Sequence, residues 1–168
     1  MHSRKTIVRP AARSDAAALT DISFRAKAYW GYSDEFMRLC TNELTVTAHD
    51  IESPDFLYYV AESSSGTIGF YSLAVLTKTE YELDAMYIDP DYIGQGIGKT
   101  LIQHARVTSR GKGIECLTIQ SDPNAEAFYK AMGATKIGER ESASVGGRML
   151  PLLTLRCQSD EDGASSVR

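Results

Sequence analysis

The sequence predicts an α/β (α+β) fold, a mixed and mostly antiparallel central sheet flanked by helices on both faces. Three observations lead there. Short runs of β-branched and aromatic residues, bounded by Gly, Ser and Pro, recur along the chain. Stretches with apolar residues at helical spacing lie between them. The resulting order is β-α-α-β-β-β-α-β-α-β-β. At 168 residues the chain has the length of one domain with its own core. Residues 1–156 are therefore expected to form a single domain, and 157–168, rich in Ser, Asp and Glu, a disordered tail.

A β-like run at 6–9 ends at Pro10. Ser14 is placed as the N-cap of the first helix, with Asp15 in its first turn. Leu19, Ile22, Ala26 and Tyr29 follow at core-facing spacing, and the helix stops near Trp30 and Gly31. Short helices are expected at 34–40 and 45–52. Strands at 56–61 and 67–76 flank a Ser-Gly turn and form a hairpin, and another strand runs over 80–88. Ile97, Leu101, Ile102, Ala105 and Thr108 mark one face of a longer helix. Arg110 and Lys112 suit its negative C-terminal end, with Gly111 or Gly113 as the cap. After a strand at 114–120, Asp122 and Pro123 open a helix whose apolar face reads as Ala127, Phe128, Ala131 and Met132, ended by Gly133. Strands at 135–142 and 148–156, around Val145, Gly146 and Gly147, complete the order.

Residues 86–101 join strand to helix through a glycine-rich turn. Gly94, Gly96 and Gly98 leave the backbone bare enough for a ligand to approach. The first amides of a helix lack intrahelical partners and carry the positive end of its dipole, so such a turn is an anion site, usually for phosphate. Spacing rejects two familiar phosphate loops. A P-loop ending in Gly98-Lys99-Thr100 would need glycine where Ile93 stands. A dinucleotide fingerprint would need its third glycine at Lys99 or at Leu101.

The stretch instead resembles the pyrophosphate loop of the GNAT superfamily of N-acetyltransferases, Gln/Arg-x-x-Gly-x-Gly/Ala. Gly96 and Gly98 match, and Ile93 stands where the family has Gln or Arg, which removes a side-chain contact and keeps the backbone donors. A second segment, 121–134, is similar to another signature of the family, with Asn124, Ala127, Phe128, Tyr129 and Gly133 at matching positions. The resemblance implies a GNAT fold over about 6–156, and acetyl-CoA-dependent acetylation of a primary amine by direct attack in a ternary complex. It implies that Ile93, Gly94, Gln95, Gly96, Ile97, Gly98 and Lys99 hold the pyrophosphate. Met86, Tyr87 and Ile88 would offer backbone groups to the pantetheine arm, like an added strand. Asn124 would bind the cofactor near its reacting end, and Tyr129 would be the general acid. A phenol, still protonated at neutral pH, suits that role.

For the base, the two-residue period puts Glu80, Glu82, Asp84 and Met86 on one strand face and Tyr81, Leu83, Ala85 and Tyr87 on the other. Glu82 matches the strand glutamate that some family members use, with Asp84 as its substitute. A neighbouring carboxylate raises the pKa of either. The plainer reading is an acidic strand end facing water. Tyr29, Trp30 and Tyr32 read as a core plug or as a wall of the acceptor site, with Asp34 or Glu35 attracting a cationic amine. Together with Asp84 they tilt the expected acceptor toward a small cationic amine. Cys116, on a strand, is a small core residue in this reading, since direct transfer needs no acyl-cysteine.

A net charge of −4 and no basic stripe argue against nucleic acid as a partner. No apolar run approaches the roughly 18 residues of a membrane span, and no signal-peptide core follows Met1, so a cytoplasmic protein is expected. Cys40, Cys116 and Cys157 are odd in number and widely spaced. With His2, His49 and His104 they suggest neither a disulfide framework nor a metal site. No feature distinguishes a monomer from a homodimer. The alternative function is a non-catalytic acyl-CoA-binding or regulatory domain of the same fold, and a third is nucleotide binding through Gly98-Lys99-Thr100.

Overall fold

The computed structural model describes residues 5–158. Seven strands, β1 (Ile7–Pro10), β2 (Phe56–Ser63), β3 (Gly66–Val75), β4 (Tyr81–Ile88), β5 (Cys116–Gln120), β6 (Thr135–Glu141) and β7 (Met149–Arg156), form one sheet in the order β1-β2-β3-β4-β5-β7-β6. Every neighbouring pair is antiparallel except β4 and β5. The helices are α1 (Ala16–Ala28), α2 (Asp34–Leu39), α3 (Thr41–Leu44), α4 (Ala48–Glu52), α5 (Ile97–Gly111) and α6 (Glu126–Ala131). The mixed, helix-flanked sheet is the one expected.

Two apolar cores separate the helices by face. On one side Leu19 and Ile22 of α1 and Ile51 of α4 pack on Val60 and Phe70. On the other, Ile97, Leu101, Ile102 and Ala105 of α5 pack on Tyr71, Leu73 and Leu83, with Phe128 and Tyr129 of α6 beside them. Each aliphatic side chain buried this way contributes about 1.5–3 kcal/mol. β3 lies under both cores and is buried without a break from 68 to 74, so its sequence shows no alternation. Ser109, not Thr108, completes the buried face of α5. The Thr108 hydroxyl faces Tyr71 (3.4 Å) and His104 (3.3 Å).

Local chemistry moved several boundaries. A 3-10 turn at Arg13–Asp15 precedes α1, so Ser14 does not cap it. Asp15 anchors the turn, accepting the Ala12 amide (2.7 Å) and pairing with Arg9 (2.9 Å). The helix expected over 45–52 starts later, as α4, because Thr47 caps it by accepting the Asp50 amide (3.1 Å), and the short α3 ahead of it was not expected. Tyr29 does not continue the core stripe of α1; it is 55% exposed. Cys157, placed in the tail by the sequence, is buried, and its amide donates to the Glu115 carbonyl (2.8 Å). The rest of the expected tail, from 159 on, lies outside the described residues.

The largest correction is in β4. Ala85 pairs with Ser72 but Leu83 pairs with Leu73, so Asp84 is the extra residue of a bulge. The bulge inverts the alternation. Tyr81 and Leu83 face the α5 core, as do Met86 and Ile88, while Ala85 and Tyr87 face the α1 core. Met86 therefore does not share a face with Glu82, as strict alternation requires.

Candidate active site

β4 and β5 pair only from Tyr81–Leu117 to Leu83–Ile119. Beyond that point they diverge, leaving the β5-side edge of β4 over 84–88 without a strand partner. The wedge is part of a cavity of about 590 Å³. Of the residues expected to bind the cofactor, Met86, Tyr87, Ile88, Ile93, Gly94, Gly96, Ile97, Gly98, Lys99, Asn124 and Tyr129 line it. Gln95 does not; it is exposed, and its side-chain amide donates to the Asp91 carbonyl (3.4 Å). Of the acceptor-site candidates, Tyr29, Trp30, Glu82 and Asp84 line the cavity and Tyr32 does not.

One end of the cavity is main chain. Gly94 and Gly96 both have φ of +80°, a left-handed conformation that glycine adopts without strain, and a Cβ at either would meet nothing within 4 Å. The first helical hydrogen bond of α5 runs from the Thr100 amide to the Gly96 carbonyl (3.1 Å). The amides of Ile97, Gly98 and Lys99 precede it and point along the positive end of the helix. Gly98 has a further reason that its spacing did not suggest. A Cβ there would lie 3.1 Å from the Phe128 ring, so this glycine lets α6 pack on α5.

The loop is held from behind by Asp89, whose importance the sequence did not reveal. Its carboxylate accepts from the Asp91 amide (3.0 Å) and from both terminal guanidinium nitrogens of Arg25 (2.9 Å each). The Arg25 bonds, followed by the Asp91 amide, outweigh burial and hold this carboxyl below its usual range.

At the middle of the cavity Tyr129 is 6% exposed. Burial, then the charge of Asp122, pushes its phenol up, so the proton stays on Oη through neutral pH. The sequence placed Tyr129 at the edge of α6 and Ala127 and Ala131 in the core, but both alanines are exposed. The stripe that faces the core is Ala125, Phe128, Tyr129 and Met132, at i, i+3, i+4 and i+7, so Tyr129 and not the two alanines lies beside Phe128 on the packed face. Asn124 also lines the cavity, but its Nδ2 already donates to Asp122 (2.9 Å) and to the Tyr32 hydroxyl (3.1 Å).

The opposite end is built of side chains. Glu82 accepts from Arg140 (2.7 Å). Asp84 opens into the cavity, yet its crowded surroundings, followed by the charges of Glu82 and Glu43, raise its carboxyl above the usual range. Neither Asp34 nor Glu35 reaches the cavity; Glu43 of α3 takes the place expected for them. Lys27 is 5% exposed and sits between Asp122 (3.2 Å) and Glu43 (3.7 Å). Tyr32, expected in the acceptor wall, stands behind it as a support. Its hydroxyl donates to Asp122 (2.8 Å) and accepts from Arg148 (2.8 Å). Lys27, Glu43 and Arg148 escaped the sequence reading because their partners lie far away in the chain.

A family model described as an acetyltransferase (GNAT) domain matches residues 54–133, the span that contains the divergent strands, the glycine turn and Tyr129. Over that span the chain resembles the GNAT family. Among curated proteins it is 34% identical over 99 residues to the peptidyl-lysine N-acetyltransferase YjaB of Salmonella typhimurium, covering 59% of this chain and 63% of that protein. It is 32% identical over 95 residues to the N-alpha-acetyltransferase RimI of Mycobacterium tuberculosis, covering 54% and 60%. The matches thus span less than two thirds of either relative. Among solved structures, the PaiA N-acetyltransferase of Thermoplasma acidophilum in complex with coenzyme A superimposes with a TM-score of 0.72 at 20% identity, over 90% of this chain and 99% of that one. The Escherichia coli ribosomal-protein-S18-alanine N-acetyltransferase gives 0.68 at 18%, over 98% and 99%. At those identities the likeness is one of fold.

The GNAT cosubstrate fits the residues present. Helix-end amides with Lys99 beside them suit a pyrophosphate, and the open edge of β4 suits an extended amide-bearing arm. No helix among the described residues is long and apolar enough to cross a membrane.

Proposed function

We propose that this protein is an acetyl-CoA-dependent N-acetyltransferase that acts on the primary amine of a small cationic acceptor by direct transfer in a ternary complex. The observation that carries the reading is the joining, in one cavity, of a main-chain anion site, an open strand edge, a buried phenol and an excess of carboxylates. Bound acetyl-CoA supplies an acetyl group activated as a thioester. The turn at 93–99 holds the pyrophosphate, and the backbone of Met86, Tyr87 and Ile88 aligns the arm. An amide on that edge is placed to donate to the acyl oxygen. Tyr129 keeps a proton on Oη within the cavity, available to a departing sulfur.

The proton-accepting role falls on Asp84 more readily than on Glu82. An ammonium has no lone pair, so the acceptor must lose a proton before or during attack. Glu82 is engaged by Arg140, whereas Asp84 faces the cavity with its proton affinity raised. Asp84, Glu82 and Glu43 together give the acceptor end a negative field that attracts a cation. Tyr29 and Trp30, packed edge to face at 5.5 Å, form an aromatic lip.

The test is the Tyr129→Phe variant, assayed by free-thiol release from acetyl-CoA with an amine panel. Loss of the proton at Oη lowers turnover by about 10²–10⁴-fold and leaves acetyl-CoA affinity intact. Unchanged turnover would remove Tyr129 from the chemistry.

A further inference from the structure

Three neighbouring strands set a row of side chains across the face that α1 covers. Tyr58 of β2 pairs with Ser72 of β3, and Ser72 pairs with Ala85 of β4. Tyr58 and Ala85 pack against the α1 core, and residues directly opposite one another share a face, so Ser72 points the same way. The bulge adds Asp84 next to Ala85, and the Asp84 carboxyl and the Tyr58 phenol both have Ser72 as a polar neighbour. The Ser72 side chain is wholly buried, and among the described residues its Oγ has no hydrogen-bond partner. An unsatisfied buried hydroxyl is a cost to the fold, and one beside a cavity carboxylate points to work at that carboxylate.

The surroundings decide which way its proton points. Burial, then the charges of Asp84 and Asp50, push the Tyr58 phenol up to about 12, so it keeps its proton through neutral pH. A serine hydroxyl has one proton to give and two lone pairs. It can therefore accept from Tyr58 and still donate to the Asp84 carboxylate. The other groups that bear on Asp84 are Glu82 of its own strand, Glu43 of α3 and Asp50 of α4, all acidic. The cations that meet them are committed. Arg140 bonds Glu82 (2.7 Å), and Lys27 lies between Asp122 (3.2 Å) and Glu43 (3.7 Å). Ser72 is thus the neighbour that favours ionised Asp84, against burial and three carboxylates.

We propose that Ser72 is a positioning residue for the transfer: oriented by Tyr58, its hydroxyl donates to one oxygen of the Asp84 carboxylate and leaves the other facing the cavity for the acceptor ammonium. This inference rests on the proposed role of Asp84 as proton acceptor and deepens it. The bond forms with the anion and fixes its orientation at the point where β4 leaves β5. It also keeps the proton affinity of Asp84 within reach of neutral pH, because burial and the neighbouring carboxylates would otherwise raise it further. When the acceptor passes its proton to the cavity-facing oxygen, Ser72 stays at the other, so the base returns to the same place after each turnover.

The experiment follows the Asp84 carboxyl carbon by NMR through a pH titration of isotope-labelled protein, its resonance assigned by its loss in Asp84→Asn. Ser72→Ala should raise the titration midpoint by about one pH unit, since a hydrogen bond donated to an anion favours the charged form. Tyr58→Phe, which keeps the ring, should raise it by less. Ser72→Thr, which keeps the hydroxyl, should leave it near that of the wild type. The acid limb of kcat/KM, measured on the amine panel, should move with the midpoint while acetyl-CoA affinity stays unchanged. A midpoint that stays put or falls in Ser72→Ala would overturn the contact. A midpoint that moves while the limb does not would overturn its part in the transfer and remove Asp84 as the proton acceptor. Absence of acetyl-CoA binding, or of turnover with every amine, would instead overturn the proposed function, while the midpoint still judges the contact.

Discussion

At its α5 end the cavity is walled by main chain, with two left-handed glycines, the first amides of a helix and a strand edge left open where β4 leaves β5. At its acceptor end it is walled by side chains from α1, α3, β4, the β5 exit and the β6–β7 connection, and nearly every charge there is already paired. In the proposed reading the first end meets the pyrophosphate with main-chain donors, so it tolerates Ile93 in place of a polar residue, while the open edge of β4 selects the arm that follows. The second depends on which side chain meets which, so under the proposed function acceptor selectivity resides there. Asp84 stands between the two as a bulge residue of the strand that serves both.

Asp84→Asn breaks the comparison most sharply. It should lower turnover by about 10²–10⁴-fold, the usual contribution of a general base, while acetyl-CoA affinity holds. Protonated Asp84 accepts nothing, so wild-type turnover should climb with pH through its raised pKa, and the variant should lose that limb. The stability effect has the opposite sense. In the native state the Asp84 carboxyl is raised above its ordinary 3.8, so between the two values the folded chain holds more protons than the unfolded one. Stability therefore falls as pH rises through that window, and the penalty is complete above it. Asp84→Asn should melt higher than wild type at neutral pH, as expected of a site residue kept at a cost to the fold. Equal melting temperatures would contradict the environment assigned to Asp84.

A smaller effect tests the support of the main-chain end. Asp89→Asn removes the charge that receives Arg25, and should cost about 1–2 kcal/mol in denaturant unfolding, with the partly exposed guanidinium keeping the value modest. The Asp89 pKa is lowered in the fold, so its contribution is full above the ordinary 3.8 and fades as pH falls through the lower native value. The gap between wild type and variant should close on acidification. A gap that persists in acid would assign the loss to the Asp91 turn instead.

Legibility in the sequence divided along the same line as the cavity. Strand and helix periodicity gave the element order, and glycine spacing gave the anion turn, because both are set by neighbours in the chain. Alternation failed at Asp84, since a bulge is decided by the partner strand; the apolar count failed on α6, where Phe128 and Met132 share the packed face with Ala125 and Tyr129 and not with Ala127 and Ala131. Gly98 has a second reason that the sequence did not show, because the ring it accommodates belongs to Phe128. Lys27, Glu43 and Arg148 carried no local signal. A lysine on an amphipathic helix reads as solvated until Asp122 and Glu43, distant in sequence, are brought beside it.

The central claim is that main-chain donors at the start of α5 bind the pyrophosphate of acetyl-CoA. Calorimetric titration of the wild type and of Gly96→Ala with acetyl-CoA, with ATP and NADH as controls, tests it most directly. An alanine at φ of +80° carries about 1–2 kcal/mol of strain, which the turn sheds by leaving the binding conformation. Saturable binding of acetyl-CoA but not of the controls is expected, weakened about tenfold in Gly96→Ala. ATP binding in place of acetyl-CoA, or equal affinity in the two proteins, would contradict it.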